Sequence, residues 1–509
     1  MKRSKRFVIT LISFLLILSL TGCTASVNKE DAGDAGLLNG AMNNSAQKPS
    51  SPNPDADEEY DELVQGIVEN PFIATAETPI STFSADVDTA SYSYFRKLVN
   101  QNTSLSDLIR MGGSFRTEEF INYFRYDAVA PQDSELFGVM SEMMDCPWNP
   151  NTVLMRLTLQ AESAVEYTGN NLVFLIDVSG SMSSSDKLPL LKRSFSNLIG
   201  HLGENDVISI VTYSGKEAVV LDGCPGNQGE RILNAIQALQ ANGSTNGEAG
   251  LEKAYQLAEK HYIENGNNRI IMASDGDLNV GISSQSELTA YISQKREAGV
   301  FLSVLGFGTG NYRDQKMEAL ADNGNGVYYY IDGESEAEKV LGSDLFSTLY
   351  TVAKDVKLQL TFDPDYVSSY RLIGYENRML NEEDFRDDTK DAGEVGAGHQ
   401  VTVCYELTLA EGARTATDAW MNLGVVYKLP TESVSLPPNN YAIGASSLTN
   451  TPSEDLQFIS CLIQTCMILH NSRYQNGITL DGTVLEILHS LELTAPERIE
   501  FYELLNQLV

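Results

Sequence analysis

A regular alternation of buried-strand and amphipathic-helix patterns in the middle of the chain constrains its fold more than any other sequence feature. The runs that predict strands are Asn171 to Asp177, Val207 to Val211, Ile270 to Ala273 and Phe301 to Leu305. Each run is short and dominated by apolar residues, which is typical of a strand buried on both faces of a sheet. Between the strands, apolar residues recur at helical spacing. This alternation predicts a doubly wound, mostly parallel sheet.

Segments that alternate between apolar and polar residues flank this region on both sides. They are Val153 to Gln160 before it, and Val356 to Phe362, Val401 to Leu409 and Met421 to Tyr427 after it. Such alternation is typical of half-buried strands, and these strands would pair in one antiparallel sandwich. Helical patterns fill residues 80–135 and 431–509. The expected fold class is therefore α/β: a doubly wound, Rossmann-like sheet inserted in a flanking antiparallel β-sandwich, with N-terminal and C-terminal helical segments.

The N-terminus has the pattern of a secretory signal. Four basic residues precede the apolar run Phe7 to Leu20, which is shorter than the ~20 residues that span a bilayer. The next residues, Leu20-Thr21-Gly22-Cys23, resemble the bacterial lipobox, although an ordinary signal peptide followed by a chance cysteine is the alternative. We predict a signal peptide over residues 1–22, lipidation of Cys23, and a flexible acidic, Ser, Pro and Asn-rich stalk over residues 23–79. The chain would then be anchored by lipid at the extracytoplasmic face of the cell membrane, or at an outer membrane if the host has one.

Charge and cysteine content exclude several partners and sites. The 509 residues include 35 Lys plus Arg and 69 Asp plus Glu, a formal net charge of −34, which is the wrong sign for a nucleic-acid partner. The chain has 6 cysteines, and they are scattered without a CxxC pair. Once Cys23 is set aside an odd number remains, which argues against a disulfide scaffold or a zinc site and favours core packing.

Oxygen-bearing side chains are concentrated in three loops of the central region. Asp177-Val178-Ser179-Gly180-Ser181 and Ser274-Asp275-Gly276-Asp277 each follow a predicted strand, and Gly243-Ser244-Thr245-Asn246 precedes a predicted helix. In doubly wound sheets, ligands bind at the carboxyl ends of the strands near the switch in strand order. Hydroxyl and carboxylate oxygens without nearby His or Cys suit a hard divalent cation, with Mg²⁺ first and Mn²⁺ or Ca²⁺ next.

These three loops, in this order, resemble those of the von Willebrand factor A domain and its metal-ion-dependent adhesion site. The resemblance implies that Asp177, Ser179, Ser181, Thr245 and Asp275 are the metal ligands. The three hydroxyls would bind directly and the two aspartates partly through water, while Asp277 is only a neighbour. The A domain would cover residues 171–353, and the flanking sandwich residues 136–170 plus 354–430.

Four further segments resemble the YfbK-like family of bacterial A-domain lipoproteins. They are Phe83 to Tyr92, Glu118 to Phe124, Gly374 to Arg378 and Asp391 to His399. The resemblance implies a fold and a location but no catalytic residue. Asp86 and Asp88, in the first segment, admit two interpretations, a metal site or turn and capping residues at a helix start; the second is favoured because short acidic side chains are common there.

No GxSxG, HExxH or GxxxxGK[ST] motif occurs in the chain, so we do not expect an enzyme. The predicted ligand set leaves a coordination position that an outside carboxylate can fill, since Mg²⁺ takes six oxygens. We therefore predict a membrane-anchored protein-binding module whose partner is an envelope or surface protein that presents Asp or Glu to the metal. The alternatives are an envelope lipoprotein with a purely structural metal, a metal-dependent hydrolase, and a chaperone-like partner of cytosolic ATPases, which the signal peptide disfavours.

Overall fold

The computed structural model describes residues 67–132, 135–163, 168–214, 217–243, 248–276, 285–308, 314–344, 350–430 and 432–509. The predicted signal peptide, Cys23, most of the predicted stalk, Thr245 and Asp277 lie outside these ranges. Within them, no helix has the length and apolar character needed to cross a membrane.

Strands and helices alternate along the central part of the described chain and are mixed at its two ends. In chain order the strands are β1 (Ile73–Ala74), β2 (Ile80–Ser84), β3 (Phe137–Asp145), β4 (Val153–Ala161), β5 (Asn170–Asp177), β6 (Val207–Tyr213), β7 (Ala218–Pro225), β8 (Asn267–Ser274), β9 (Phe301–Phe307), β10 (Tyr328–Ile331), β11 (Thr351–Phe362), β12 (Val367–Ile373), β13 (Met379–Leu380), β14 (Gly393–Gly396), β15 (Gln400–Leu409), β16 (Ala419–Lys428) and β17 (Asn439–Gly444). The α-helices are α1 (Ala90–Asn100), α2 (Leu105–Arg110), α3 (Thr117–Asn122), α4 (Leu188–Ile199), α5 (Gly229–Gln237), α6 (Glu248–Lys260), α7 (Gln285–Glu297), α8 (Asp314–Asn323), α9 (Glu334–Lys339), α10 (Glu454–Leu469), α11 (Leu485–Ser490) and α12 (Pro496–Gln507).

The central sheet has the strand order β10-β9-β8-β5-β6-β7. Its neighbouring strands are parallel except for β6 and β7. Every residue of β5 is buried; Phe174 packs against Phe195 of α4 with ring centroids 4.8 Å apart, while Val173 faces the core that contains Tyr255 of α6. The predicted doubly wound sheet is confirmed. The chain moves from β5 to β6 on one side and later to β8 on the other, so the loops after β5 and β8 lie at the topological switch point.

Two antiparallel sheets flank the central sheet in sequence. One has the order β1-β12-β15-β4-β3, and the other has the order β13-β2-β11-β16-β17, with β14 paired to β11. Their inner faces pack together: the ring of Phe362 in β11 stacks on Tyr370 in β12 with centroids 4.2 Å apart and meets Tyr405 in β15 edge-on at 5.6 Å. Because β4 precedes the central sheet and β11 follows it, the α/β domain is inserted in an antiparallel sandwich, as predicted.

The sandwich also takes strands from segments where the sequence predicts other structure. Within the predicted stalk, β1 pairs with β12, and within the predicted N-terminal helical region, β2 pairs with β11. In the predicted C-terminal helical region, β17 pairs with β16. These strands are short or polar, so their neighbours in the sheet, and not their own residue pattern, decide their conformation.

The N-terminal and C-terminal helices share one aromatic core. The ring centroid of Tyr92 in α1 lies 5.6 Å from that of Phe120 in α3 and 4.9 Å from that of Phe124. Phe124 lies 4.9 Å from Phe458 of α10, and Phe458 lies 5.7 Å from Phe501 of α12. These edge-to-face contacts join two segments that the sequence predicts separately, because each helix buries its apolar face against the others.

The start of α1 differs from the sequence prediction. Thr89 makes no side-chain capping hydrogen bond, and Asp88 Oδ1 accepts a hydrogen bond from the backbone N of Tyr328 at 2.8 Å. The orphan N–H of Ser91 instead donates to Glu119 Oε2 at 2.7 Å. A carboxylate from another helix thus takes the role expected of a local cap, and it also suits the positive end of the helix dipole.

The five cysteines of the described residues, Cys146, Cys224, Cys404, Cys461 and Cys466, are free and buried. Burial raises the pKa of the Cys404 and Cys461 thiols to about 12. These thiols therefore stay protonated and act as small apolar side chains, in keeping with the predicted role in core packing.

Candidate metal centre

The loop after β5 gathers one carboxylate and two hydroxyls. Asp177, the last residue of β5, is fully buried, and its Oδ1 accepts a hydrogen bond from the backbone N of Ser179 at 2.8 Å. The hydroxyls of Ser179 and Ser181 are 2.9 Å apart. A short 3₁₀ turn over Gly180–Ser183 follows, and Gly180 is exposed. The tight turn therefore directs alternate side chains to one point while its outer surface stays open to solvent.

Asp275, in the loop after β8, is connected to the loop after β5 through the side chain of Lys187. Asp275 is 2% exposed, and its Oδ2 accepts a hydrogen bond from Lys187 Nζ at 2.7 Å. The same Nζ donates to the backbone O of Ser181 at 3.1 Å. Lys187 thus links the two loops at the switch point, and the structure brings Asp177, Ser179, Ser181 and Asp275 together.

The pKa of Tyr213, the last residue of β6, is affected by the carboxylates of this cluster. Burial raises the pKa of Tyr213 well above its usual value, and the negative charge of Asp177, with a smaller contribution from Asp275, raises it further. The neighbouring Ser274 side chain acts in the opposite direction. Both carboxylates therefore lie near the same phenol, which stays neutral.

The residues at the start of the third predicted loop are hydrogen-bonded to the first loop. The backbone N of Gly180 donates to the O of Gly243 at 3.1 Å, and the N of Asn242 donates to the O of Val178 at 2.7 Å. Helix α6 begins at Glu248, and its Gly250 packs so closely on Tyr213 that an added Cβ would lie 2.7 Å from the Tyr213 Cβ. Thr245 itself lies outside the described residues, so its assignment as a ligand stays a prediction.

Lys187 is a site residue that the sequence reasoning missed. It stands immediately before α4, and its stem passes over Gly308, where an added Cβ would come within 2.2 Å of Lys187 Cε. Gly308 follows β9 and has a φ of +74°, so glycine is needed there both for the backbone conformation and for the lysine. The sequence signal that could have indicated Lys187 was Gly308, a glycine at a strand end close to the proposed loops in the fold.

The chemistry of the donor set fits a hard divalent ion. Two buried carboxylates and two hydroxyls supply oxygens, and no His or Cys of the described chain is among them. Across those residues no group of three or more His, Cys, Asp or Glu is arranged as a metal centre. One lysine against two carboxylates leaves a net negative charge in a buried place, which favours an added cation.

Asp86 and Asp88 form an ion-pair network instead of a second metal site. Asp86 Oδ1 accepts a hydrogen bond from the N of Asp88 at 3.2 Å and lies 3.2 Å from Arg378 Nη2. The guanidinium of Arg378 also lies 3.5 Å from Asp88 Oδ2, 3.5 Å from Glu318 Oε1 and 3.0 Å from Asp322 Oδ2. Arg378, together with Arg116 at 2.5 Å from Glu318 Oε2, thus supplies positive charge among these carboxylates and ties α8 of the central domain to the N-terminal segment and the sandwich.

A doubly wound sheet with such oxygen-bearing loops at its switch point defines a von Willebrand factor type A domain. The family model of that description matches residues 171–342, a model described as von Willebrand factor matches residues 56–156, and a model of the C-terminal part of the uncharacterized protein YfbK matches residues 347–509. Over 436 residues the chain is 39% identical to uncharacterized protein YfbK of Escherichia coli (strain K12), covering 80% of this chain and 74% of that protein. The chain therefore belongs to the YfbK family.

More distant similarities concern the A domain. The chain is 28% identical over 179 residues to inter-alpha-trypsin inhibitor heavy chain H3 of Homo sapiens, covering 33% of this chain and 20% of that protein. A solved structure titled von Willebrand factor type A from Catenulispora acidiphila is similar with 16% identity and a TM-score of 0.40, covering 67% of this chain and 80% of that one. Domains of this class are generally interaction modules, not enzymes, and often bind a divalent metal.

Proposed function

We propose that the chain is an extracytoplasmic protein-binding module that holds a divalent ion, Mg²⁺ first, through Asp177, Ser179, Ser181, Thr245 and Asp275. The ion would recognise an acidic residue of a partner protein. The observation that carries the proposal is that the loops after β5 and β8 lie together at the switch point, linked by the contacts of Lys187 with Ser181 and Asp275.

The residues of the chain have distinct roles in this proposal. Asp177 and Asp275 supply negative charge in a buried place, where electrostatic attraction to a cation is stronger than in water. The hydrogen bond from the N of Ser179 to Asp177 fixes the turn, so the two serine hydroxyls are already aligned before an ion arrives. A bound Mg²⁺ supplies a Lewis-acidic centre whose remaining position accepts an outside carboxylate.

The net negative charge of the chain affects the approach of an acidic partner more than the contact of that partner with the metal ion. With a formal net charge of −34, the chain repels an acidic partner at long range, but salt screens this repulsion beyond a Debye length of about 8 Å. Contact of a carboxylate with the ion is not screened in this way. We therefore expect a salt-dependent association rate and an affinity that depends chiefly on the metal.

Membrane attachment is part of the proposal and rests on the sequence. The signal pattern and the lipobox-like Leu20-Thr21-Gly22-Cys23 support lipidation of Cys23 at the extracytoplasmic face. Two acyl chains anchor a protein stably, because each buried CH₂ contributes about 0.8 kcal/mol. The acidic chain itself has no attraction for an anionic membrane surface.

The proposal is tested with the isosteric variant Asp177→Asn in the full chain. Calorimetric titration with Mg²⁺ and Mn²⁺ should give saturable binding by the unsubstituted chain and none by the variant, while circular dichroism shows the same fold. Asp107 on α2, whose side chain is 50% exposed, changed to Asn, is the matched control and should bind as before. Undiminished binding by Asp177→Asn would overturn the metal assignment.

The partner is tested by recovery from an envelope extract with the full chain as bait. A partner should be recovered with Mg²⁺ and lost with EDTA, and the bait Asp177→Asn should fail to recover it under either condition. Equal recovery with Mg²⁺ and EDTA would contradict metal-dependent recognition and favour a metal that only holds the loops.

A further inference from the structure

A cavity of about 120 Å³ opens where the N-terminal helices, the A domain, the sandwich and α12 meet. Its lining includes three basic side chains, those of Arg125, Lys339 and Arg498, together with His399, while Asp344 and Glu497 are the acidic members. Of the proposed metal ligands that the structure describes, Asp177, Ser179, Ser181 and Asp275, none lines this cavity. Arg498 is paired with Asp455 at 2.6 Å, so Arg125 and Lys339 are the basic groups that remain at the cavity, in a chain where acidic residues outnumber basic ones by 69 to 35.

Arg125 and Lys339 place positively charged groups at this cavity. Arg125 is exposed, donates from Nη1 to the backbone O of Gly398 at 2.9 Å, and has no carboxylate within ion-pair distance among the residues that the structure describes. Lys339 Nζ lies 3.6 Å from the ring centroid of Tyr123 and 3.9 Å from Asp344 Oδ2. The guanidinium of Arg125 therefore has donors left for a ligand, and an aromatic face holds Lys339 beside them.

His399 contributes an unsatisfied polar atom to the same place. The residue is 9% exposed, and its Nδ1 is buried without a hydrogen-bond partner in the described part of the chain. Burial, followed by the positive charges of Arg125 and Lys339, lowers the pKa of His399 to about 3. The ring is thus neutral at physiological pH and lies close to both cations. Buried polar groups are nearly always hydrogen-bonded, so this atom leaves an unmet hydrogen bond on a residue that lines the cavity.

We propose that this cavity binds a small oxyanion, either a carboxylate or a phosphate group, between Arg125, Lys339 and His399. A guanidinium presents a planar fork of donors that matches both groups. The cavity holds several water molecules and so admits one such group. This site also gives a role to His399, which is not among the residues of the candidate metal centre. The assignment does not depend on the proposed adhesion role.

The test is calorimetric titration of the full chain at low ionic strength with two probes, inorganic phosphate and acetate. We expect saturable binding of at least one probe. Arg125→Ala, at an exposed position that should tolerate the change, should weaken that binding at least tenfold. His399→Phe, which keeps an aromatic ring at this position but removes both nitrogens, should weaken it as well. Arg193→Ala, an exposed arginine on α4, is the matched control and should bind like the unsubstituted chain.

The outcomes distinguish a phosphate-bearing ligand from a carboxylate-bearing one, and the oxyanion proposal from the metal proposal. Binding of phosphate alone assigns a phosphate-bearing ligand, and binding of acetate alone assigns a carboxylate-bearing one. No saturable binding of either probe, or equal affinity in Arg125→Ala, would overturn the proposal. Asp177→Asn should leave oxyanion binding unchanged, so loss of metal binding and loss of oxyanion binding are distinguishable.

Discussion

Replacement of Lys187 by methionine should tighten the binding of Mg²⁺ at the candidate metal centre. Lys187 Nζ lies 2.7 Å from Asp275 Oδ2 and has a side chain only 11% exposed. The lysine therefore neutralises a carboxylate that the ion also needs. Methionine keeps most of the length of the side chain and removes its charge, so it separates charge from packing.

The size of the effect follows from Coulomb's law. An ion bound to the same carboxylate lies on the order of 5 Å from Nζ. At an effective dielectric constant of about 20, the repulsion between the singly charged ammonium and the doubly charged ion is about 7 kcal/mol. This value is an upper bound, because the lysine stem can swing away and the hydrogen bond to the O of Ser181 at 3.1 Å offers Nζ an alternative. We expect at least a tenfold gain in affinity, which corresponds to about 1.4 kcal/mol.

The assay is titration of the full chain with Mg²⁺, with Lys192→Met as the matched control. Lys192 lies on α4, five residues further along the chain, and its Nζ donates to the backbone O of Leu239 at 2.9 Å, away from both carboxylates. Its replacement should leave Mg²⁺ affinity within twofold. An unchanged or weaker affinity in Lys187→Met would refute the argument, since Lys187 would then support the ion-binding geometry instead of competing with the ion.

Two further predictions concern stability. Burial and the nearby charge of Glu376 raise the pKa of Glu118 from 4.5 to about 8. Between these values the folded state keeps a proton that the unfolded chain has released, so this group lowers stability as the pH rises from 4.5 to about 8. Glu118→Gln should flatten that fall in the thermal midpoint, and an identical pH profile would contradict the assignment. Arg378→Met leaves Asp86 and Asp88 without the guanidinium that contacts them, while Glu318 keeps its contact with Arg116, and urea unfolding should show a loss of about 3–5 kcal/mol; a loss below about 1 kcal/mol would mean that the network is weakly coupled to folding.

The ion-pair network around Arg378 gives the inserted A domain a fixed position. The domain contributes Glu318 and Asp322 from α8 to this network, while Arg378 follows β12 of the sandwich and Asp86 precedes α1. Three parts of the chain thus meet through side chains that are far apart in sequence. Because a charge buried alone is strongly unfavourable, such a network favours one arrangement of the domain over others.

The sequence by itself determined the central sheet and the local chemistry of its loops. The apolar run of β5 and the helical spacing of α4 are local patterns, and burial on both faces dictates them wherever the chain lies. The turn from Asp177 to Ser181 is equally local, because its hydrogen bond spans only two residues.

Only the tertiary structure decided which distant groups meet. Lys187 and Asp275 are separated by 88 positions, and Ser91 and Glu119 by 28, and no periodicity in the chain encodes either pair. The strand at Ile80–Ser84 likewise depends on β11 for its hydrogen bonds. The physical reason is that hydrophobic periodicity specifies which face of an element is buried, whereas the partner on that face is chosen by the packing of the whole chain.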